Sequence, residues 1–400
     1  MTYALRGALR GDRPRDVVRR STIISVVAFL TLIDLFGAQA LLPQIVVGYG
    51  AEPAIAGFAV NAATLGMAVS GLAVAWFADR IDRKAGIWRC LLLLSIPTAL
   101  LSFTDSIWIF MALRIVQGAL MAAAFTLTMT YLSEQCAHTA ITGALSAYIT
   151  GNVASNLIGR LAAVTAADAT GLGGSFLMFA AFNLIGAVLA LWLIGRHDDR
   201  PPMRGGPPLD AWRRHLAMPA LRSAFTVGFL ILFVFVGVFT YVNLHLVGGL
   251  GLSPMSLGLV YLVFAPAVIT TPMAAGVVRR RGPRATLALS LAVALAGLAL
   301  TAAGQVWIVL TGLAIVGAAM FFAQAAATGY VSRSVTRDRA QANGLYLSSY
   351  YFGGMAGALL LGQVNAGFGW HGTVAALAVA ILAALAMSRH FAAPPVGSAS

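Results

Sequence analysis

The apolar residues of this chain are gathered into long, unbroken blocks, each close to the length a helix needs to cross a bilayer. A spanning helix takes about 20 predominantly apolar residues. Of 400 residues 60% are apolar, enough to fill roughly twelve such spans. Only 10% are charged, against about 25% in an average soluble domain, too few to cover a water-soluble fold. Outer-membrane barrels are built from short alternating strands, unlike these continuous runs. A soluble enzyme, a disordered chain and a collagen-like repeat are excluded on the same grounds. The class is an all-α polytopic membrane protein.

The blocks predict helices over 21–44, 54–78, 87–104, 107–131, 139–166 and 174–195, then over 223–247, 255–278, 285–303, 306–331, 342–366 and 370–389. Pro43, Gly50-Ala51-Glu52-Pro53, Gly171 to Gly174 and Gly249 to Pro254 punctuate them. The organisation is therefore a basic tail (1–20), a six-helix bundle (21–195), a polar loop (196–222), a second six-helix bundle (223–389) and a short tail (390–400). The first helix is too long for a signal-peptide core and reads as retained. Cys90 and Cys136 are too few for a disulfide framework and have no metal-ligand spacing.

The net charge of +13 comes from a sided distribution. All but Arg114 and Arg160 of the 26 Lys and Arg residues fall in the tails or in alternate connections, on the side that both tails share. The opposite connections hold none. By the positive-inside rule both ends are cytoplasmic and the helix count is even. The basic excess marks topology, with some attraction to anionic lipid headgroups, and not a nucleic-acid surface. The loop 196–222, with Pro201-Pro202 and Gly205-Gly206-Pro207-Pro208, reads as a linker. The halves echo each other at a spacing of some 200 residues, the basic turn at 79–84 answering that at 279–284. Two six-helix halves with parallel internal symmetry point to a transporter with a site at the midplane between them.

The turn Asp79-Arg80-Ile81-Asp82-Arg83-Lys84 and the run Arg114-Ile115-Val116-Gln117-Gly118 resemble signatures of the major facilitator superfamily. The first departs from the family pattern at Ala75 and Asp82, where glycine is usual. The stretch Tyr148 to Arg160, with Gly151-Asn152 and Gly159-Arg160, is similar to the helix-five region of the bacterial drug:proton antiporter branch, close to arabinose-efflux-like inner-membrane exporters, but lacks the Gly-Pro pair of that signature. The resemblance implies twelve helices in two pseudo-symmetric bundles in the bacterial inner membrane. It also implies a monomer that needs no cofactor and works by alternating access on protons and a small-molecule substrate.

A charge at the bilayer centre costs at least about 2.5–3.5 kcal/mol, so the few present are functional candidates. Asp34 lies roughly 20 Å along helix one and Arg114 roughly 25 Å from the cytoplasmic end of helix four, similar depths. The resemblance places both helices around the central cavity. Burial and a nearby guanidinium act in opposite senses on a carboxyl's protonation, which suits Asp34 as proton acceptor with Arg114 as its modulator. A static ion pair pinning helix one to helix four is the competing reading. Arg160 either snorkels to the interface or meets an anion in the cavity. Asp168 reads as a solvated loop acid, and Glu134 as a partner of loop arginines.

Asp79 stands at the C-terminal end of helix two, where the helix dipole disfavours an acid. The resemblance implies a conformational latch of Asp79, Arg80, Arg83 and Lys84 against the start of helix eleven, near Arg339, Gln341 and Asn343. The basic residues serve topology under either reading. Candidates for the substrate cavity are Asn61, Tyr148, Asn152, Asn156, Arg160, Phe233, Tyr241, Gln324, Tyr346 and Tyr350, since aromatics with a few amides suit amphipathic ligands. Helix–helix packing is the competing role for each, and for the 42 glycines. His245 reads as interfacial. With no P-loop, paired catalytic carboxylates or nucleophile triad, the chain is expected to be no enzyme and to hold no metal. The expectation is proton-coupled efflux of small amphipathic compounds. Import or uniport of a metabolite such as an organic anion or sugar is the alternative, and a receptor or intramembrane enzyme the reading from a different class.

Overall fold

A computed structural model of the chain describes residues 14–77, 81–135, 141–193, 208–252, 260–335 and 338–391, and among them every regular element is helical. Lipid offers backbone groups no hydrogen-bond partner, so a spanning segment must satisfy its own. The elements are α1 (Pro14–Ala40), α2 (Leu42–Tyr49), α3 (Pro53–Phe77), α4 (Arg83–Leu100), α5 (Ile107–Gln135), α6 (Ile141–Leu193), α7 (Pro208–Ala217), α8 (Pro219–Leu244), α9 (Ala265–Thr270), α10 (Ala274–Leu300), α11 (Val306–Ser334) and α12 (Arg339–Met387).

Nine helical stretches among the described residues are long and apolar enough to span. Three of them, Ala147–Leu193, Tyr261–Leu300 and Gln341–His390, run to 47, 40 and 50 residues. Straight, each would reach about 60–75 Å, twice the hydrocarbon thickness. Each is broken at one glycine in the left-handed region, Gly171 (φ 77°), Gly282 (φ 79°) and Gly369 (φ 63°), where a Cβ would be strained. The reversal is visible in side-chain bonds. Ser175 Oγ donates to the Ala163 carbonyl at 3.2 Å across 12 residues, and Thr373 Oγ1 to Asn365 Oδ1 at 3.2 Å across 8. A straight helix would hold those residues about 18 and 12 Å apart. Nine stretches, three of them folded back, are consistent with twelve crossings.

Local chemistry moves some boundaries. The first helix, expected to reach 44, ends at Ala40, and Pro43 lies in the first turn of the short α2. Helix eight, expected as one piece, is built from 3-10 turns around α9, with Pro266 and Pro272 unable to donate backbone bonds. The last part of the polar linker is helical as α7, and α8 starts at Pro219 instead of 223.

In each half, corresponding helices pack backbone to backbone. Ser25 Oγ of α1 donates to the Ala147 carbonyl of α6 at 2.6 Å, 122 residues on, and Ser349 Oγ of α12 to the Phe225 carbonyl of α8 at 2.9 Å, 124 residues away. The corresponding helix pair thus meets in both halves, with the donor on opposite partners. Glycine permits it. A Cβ at Gly151 would overlap the Ser25 carbonyl, and one at Gly353 the Phe229 carbonyl. Gly353→Val is expected to cost about 1–3 kcal/mol by overpacking, read as an earlier thermal transition in detergent. Gly57→Val, whose Cβ meets nothing within 4 Å, is expected to melt like wild type, and equal losses in the two would refute the close-approach account.

Candidate functional site

Asp34 is fully buried inside the N-terminal half, where four helices converge on it. Its Oδ2 accepts from Thr98 Oγ1 of α4 (3.2 Å), Gln117 Nε2 of α5 (3.2 Å) and Asn183 Nδ2 of the second arm of α6 (3.3 Å). Gln117 and Asn183 also donate to Thr98 Oγ1, at 2.7 and 3.1 Å. The single Thr98 hydroxyl proton has a second acceptor, the Leu94 carbonyl at 2.7 Å. Asp34 Oδ1 is buried with no hydrogen-bond partner.

Arg114 joins this cluster indirectly. Its Nη1 donates to Gln117 Oε1 at 2.9 Å, while Nε and Nη2 both bond the Val60 carbonyl of α3 at 3.2 and 3.1 Å. The guanidinium and the carboxylate form no direct ion pair; the Gln117 amide lies between them, oxygen toward the cation and nitrogen toward the anion. The static pair considered from the sequence is therefore replaced by a relay. Thr98 and Asn183 were missed there, although Asn183 is the one amide in residues 174–193 and an amide in an apolar span needs partners.

Arg160 is 3% exposed and sits where the two halves meet. Nε donates to Asn156 Oδ1 (2.9 Å) and Nη2 to Gln39 Oε1 (2.7 Å), while Gln39 Nε2 donates to Asn61 Oδ1 (3.1 Å). Across the interface the guanidinium lies 4.3 Å from the Tyr261 ring centroid, a cation–π contact. Snorkelling is excluded by this burial. A closed cavity of about 40 Å³ lies beside it. The first half lines it with Gln39, Thr64, Asn152 and Arg160 beside apolar residues such as Phe36 and Met67, and the second with a largely apolar wall that includes Phe235, Val236, Phe239 and Tyr350. A drug-sized ligand occupies roughly 300–1,000 Å³, so the halves must separate to admit one.

Of the ten cavity candidates, Asn152, Arg160 and Tyr350 line this space, and Asn156 and Asn61 hold Arg160 and Gln39. Gln324 is buried with its Oε1 unpartnered. Tyr148 donates to the Phe125 carbonyl at 3.0 Å, Tyr241 to the Ala358 carbonyl, Tyr346 accepts from Thr328 at 3.4 Å and Phe233 stacks on Phe229, all packing roles in the closed state. Asp34 and Arg114 do not line the cavity; they lie behind its wall. The Gln39 and Tyr261 contributions escaped the sequence reading.

On the side of the basic loops, Asp79 and Arg80 lie outside the described residues. Asp82, where glycine was expected, caps α4 by accepting from Ala85 N at 2.5 Å. Arg83 Nη1 donates to the Ile81 carbonyl at 3.0 Å, and Lys84 is in the first turn of α4. Here α3 and α12 touch, since a Cβ at Gly71 would meet Ser348 and the Gly344 carbonyl. The linker helix α7 reaches both. Trp212 meets Trp76 of α3 edge-on, 5.6 Å between centroids, and Arg214 pairs with Asp338, the N-cap of α12, at 2.7 Å. His215 Nε2 lies 3.3 Å from the Asp338 carbonyl. A carbonyl only accepts, so Nε2 carries the proton.

The sequence profile of the Major Facilitator Superfamily matches residues 24–281 and 262–399. The chain is 27% identical over 359 residues to the inner membrane transport protein YnfM of Escherichia coli (strain K12), covering 88% of this chain and 85% of the relative. It is 25% identical over 407 residues to the MFS-type transporter YybF of Bacillus subtilis (strain 168), covering 98% and 96%. The crystal structure of the human organic anion transporter MFSD10 (TETRAN) shares the fold, with a TM-score of 0.73 at 15% identity, covering 93% of this chain and 98% of that one.

Gln117→Leu removes the relay and leaves a buried guanidinium N–H without its acceptor, at an expected cost of about 2–3 kcal/mol. Asn183→Leu leaves Asp34 Oδ2 two donors and is expected to cost less; melting curves in which both variants fall equally would refute the relay. Burial holds the His215 imidazole below its ordinary 6.5, against a partial upward pull from Asp338. The docked helix therefore prefers neutral His215, and docking present above pH 6.5 is lost as pH falls through the lowered value. Limited proteolysis near Arg213 is expected to accelerate on acidification in wild type and to lose that dependence in His215→Gln.

Proposed function

The chain belongs to the Major Facilitator Superfamily, and on that premise we propose that it is a proton-coupled exporter of small amphipathic compounds, working by alternating access in the bacterial inner membrane with both ends cytoplasmic. The observation that carries proton coupling is Asp34, the one acid buried in a described span, with Oδ1 free of any hydrogen bond. A proton taken up at Oδ1 neutralises the carboxylate and weakens its hold on the Thr98, Gln117 and Asn183 donors. Thr98 then turns its hydroxyl to the Leu94 carbonyl, and α1 is released from α4 and α5. Because α1 also carries Phe36 and Gln39 on the cavity wall, its movement reaches Arg160 through the Gln39 bond. Proton state and cavity state are coupled through one rigid helix.

The chemistry at Arg160 favours amphipathic organic anions within this reading. The guanidinium is buried on the cavity wall with neutral partners only. A carboxylate or sulfonate entering the cavity would supply the charge it lacks, while its apolar body meets Phe235 and Phe239. MFSD10, of the same fold, is described as an organic anion transporter. Uptake or uniport of a metabolite anion is the second reading, since the same guanidinium serves either direction.

Everted vesicles with an imposed inward-acid gradient distinguish these. Wild type is expected to accumulate an anionic amphipathic dye and to lose accumulation when the gradient is collapsed. Asp34→Asn is expected to abolish gradient-driven accumulation while retaining counterflow, and Arg160→Gln to raise KM for anionic dyes by roughly tenfold or more with little change for neutral ones. Wild-type accumulation in Asp34→Asn would sink the coupling proposal.

A further inference from the structure

A second, larger cavity lies away from the interface between halves. It is a groove of about 430 Å³ on the outer face of the C-terminal half, between α9, the two arms of α10 and α11. Leu289 and Val293 on its rim are 46% and 43% exposed, so it opens toward lipid. Its depth makes no polar demand. Thr270, Thr286 and Ser290 each bond a carbonyl of their own helix, at 2.9, 2.7 and 2.9 Å, and the remaining wall is apolar, including Val277 and Phe322.

The mouth is different. Arg280 and Arg281 line it, within a run of four arginines at 279, 280, 281 and 284. Residues 223–389 contain a single acid, Asp338, and Arg214 occupies it. The half that carries this basic mouth therefore has no free carboxylate to offer it. An apolar slot open to acyl chains, ending in two guanidiniums at headgroup level, has the shape and charge of one class of ligand. We infer that this groove is a binding site for an anionic membrane phospholipid, its phosphate held by Arg280 and Arg281 and an acyl chain lying along Leu289 and Val293. Bidentate guanidinium–phosphate bonding supplies the headgroup selectivity. A lipid seated there would brace α10 against α11 in the half that moves during alternating access. Because this site lies outside the central cavity, its test is independent of the transport reading.

The experiment is native mass spectrometry of the full-length protein in detergent, titrated with phosphatidylglycerol or with phosphatidylcholine of identical acyl chains. Wild type is expected to retain phosphatidylglycerol on the order of tenfold more strongly. R280Q/R281Q is expected to lose that preference, whereas R279Q/R284Q, altered outside the groove, keeps most of it. Val293→Trp, which fills the groove on a lipid-facing position, is expected to reduce phosphatidylglycerol retention with all arginines intact, and it carries the test if the arginine variant fails to fold. Equal retention of the two lipids by wild type would overturn the inference. So would equal losses in the two arginine pairs, which would mean diffuse surface attraction, or full displacement by soluble glycerol phosphate, which would mean a site for a free phosphate. Unimpaired retention by Val293→Trp would also overturn it.

Discussion

Lipid supplies no hydrogen bonds, and the architecture follows from that constraint. Backbone groups must be satisfied within each span, which makes the protein helical, and polar side chains must find one another, which makes them converge. The Asp34 cluster is the clearest case. Five polar side chains from α1, α4, α5 and α6 converge at 0% exposure, tying the first half together around a point where most polar atoms have partners. Two acceptors of the cluster, Asp34 Oδ1 and Asn183 Oδ1, are left without a partner, and only the carboxylate oxygen is basic enough to take up a proton.

The two halves repeat each other in backbone and differ in chemistry. The α1–α6 and α8–α12 pairs approach through equivalent glycines, Gly151 and Gly353, although the serine donor sits on opposite partners. Yet among the described residues the buried acids and arginines Asp34, Arg114 and Arg160 all belong to the first half, and the second faces them with Phe235, Phe239 and Phe264, backed by Phe321 and packed ring against ring. The interface thus sets a mixed wall that carries Arg160 and its amides against a largely aromatic one. In the proposed function, such a division would hold an amphipathic molecule by its two ends.

Connections carry more than continuity. Helix α7, in the linker between halves, contacts Trp76 of one and Asp338 of the other. It lies where α3 and α12 touch, so separation of the halves on that side must disturb it. Asp338 is the one non-glycine residue among those described with a positive φ (56°), a conformation to which aspartate is better suited than most residues.

Much of this was written in one dimension. The all-helical class, the spans and the repeat follow from hydrophobic length and arginine placement, because the energy of each residue in lipid depends on its own chemistry more than on its neighbours. The isolation of Asp34, Arg114 and Arg160 in apolar blocks marked them for the same reason. Partnership was not legible. That Gln117 stands between the charges, that Asn183 and Thr98 complete the cluster, and that Tyr148 and Tyr241 pack while Gln39 and Tyr261 hold Arg160, all depend on which faces of distant helices meet. Single glycines at 171, 282 and 369 direct those reversals, and close approach at Gly151 and Gly353 sets the rotation of each helix. Helix phase is a property of the packed bundle, so the pairing of polar groups emerged only when the spans were assembled.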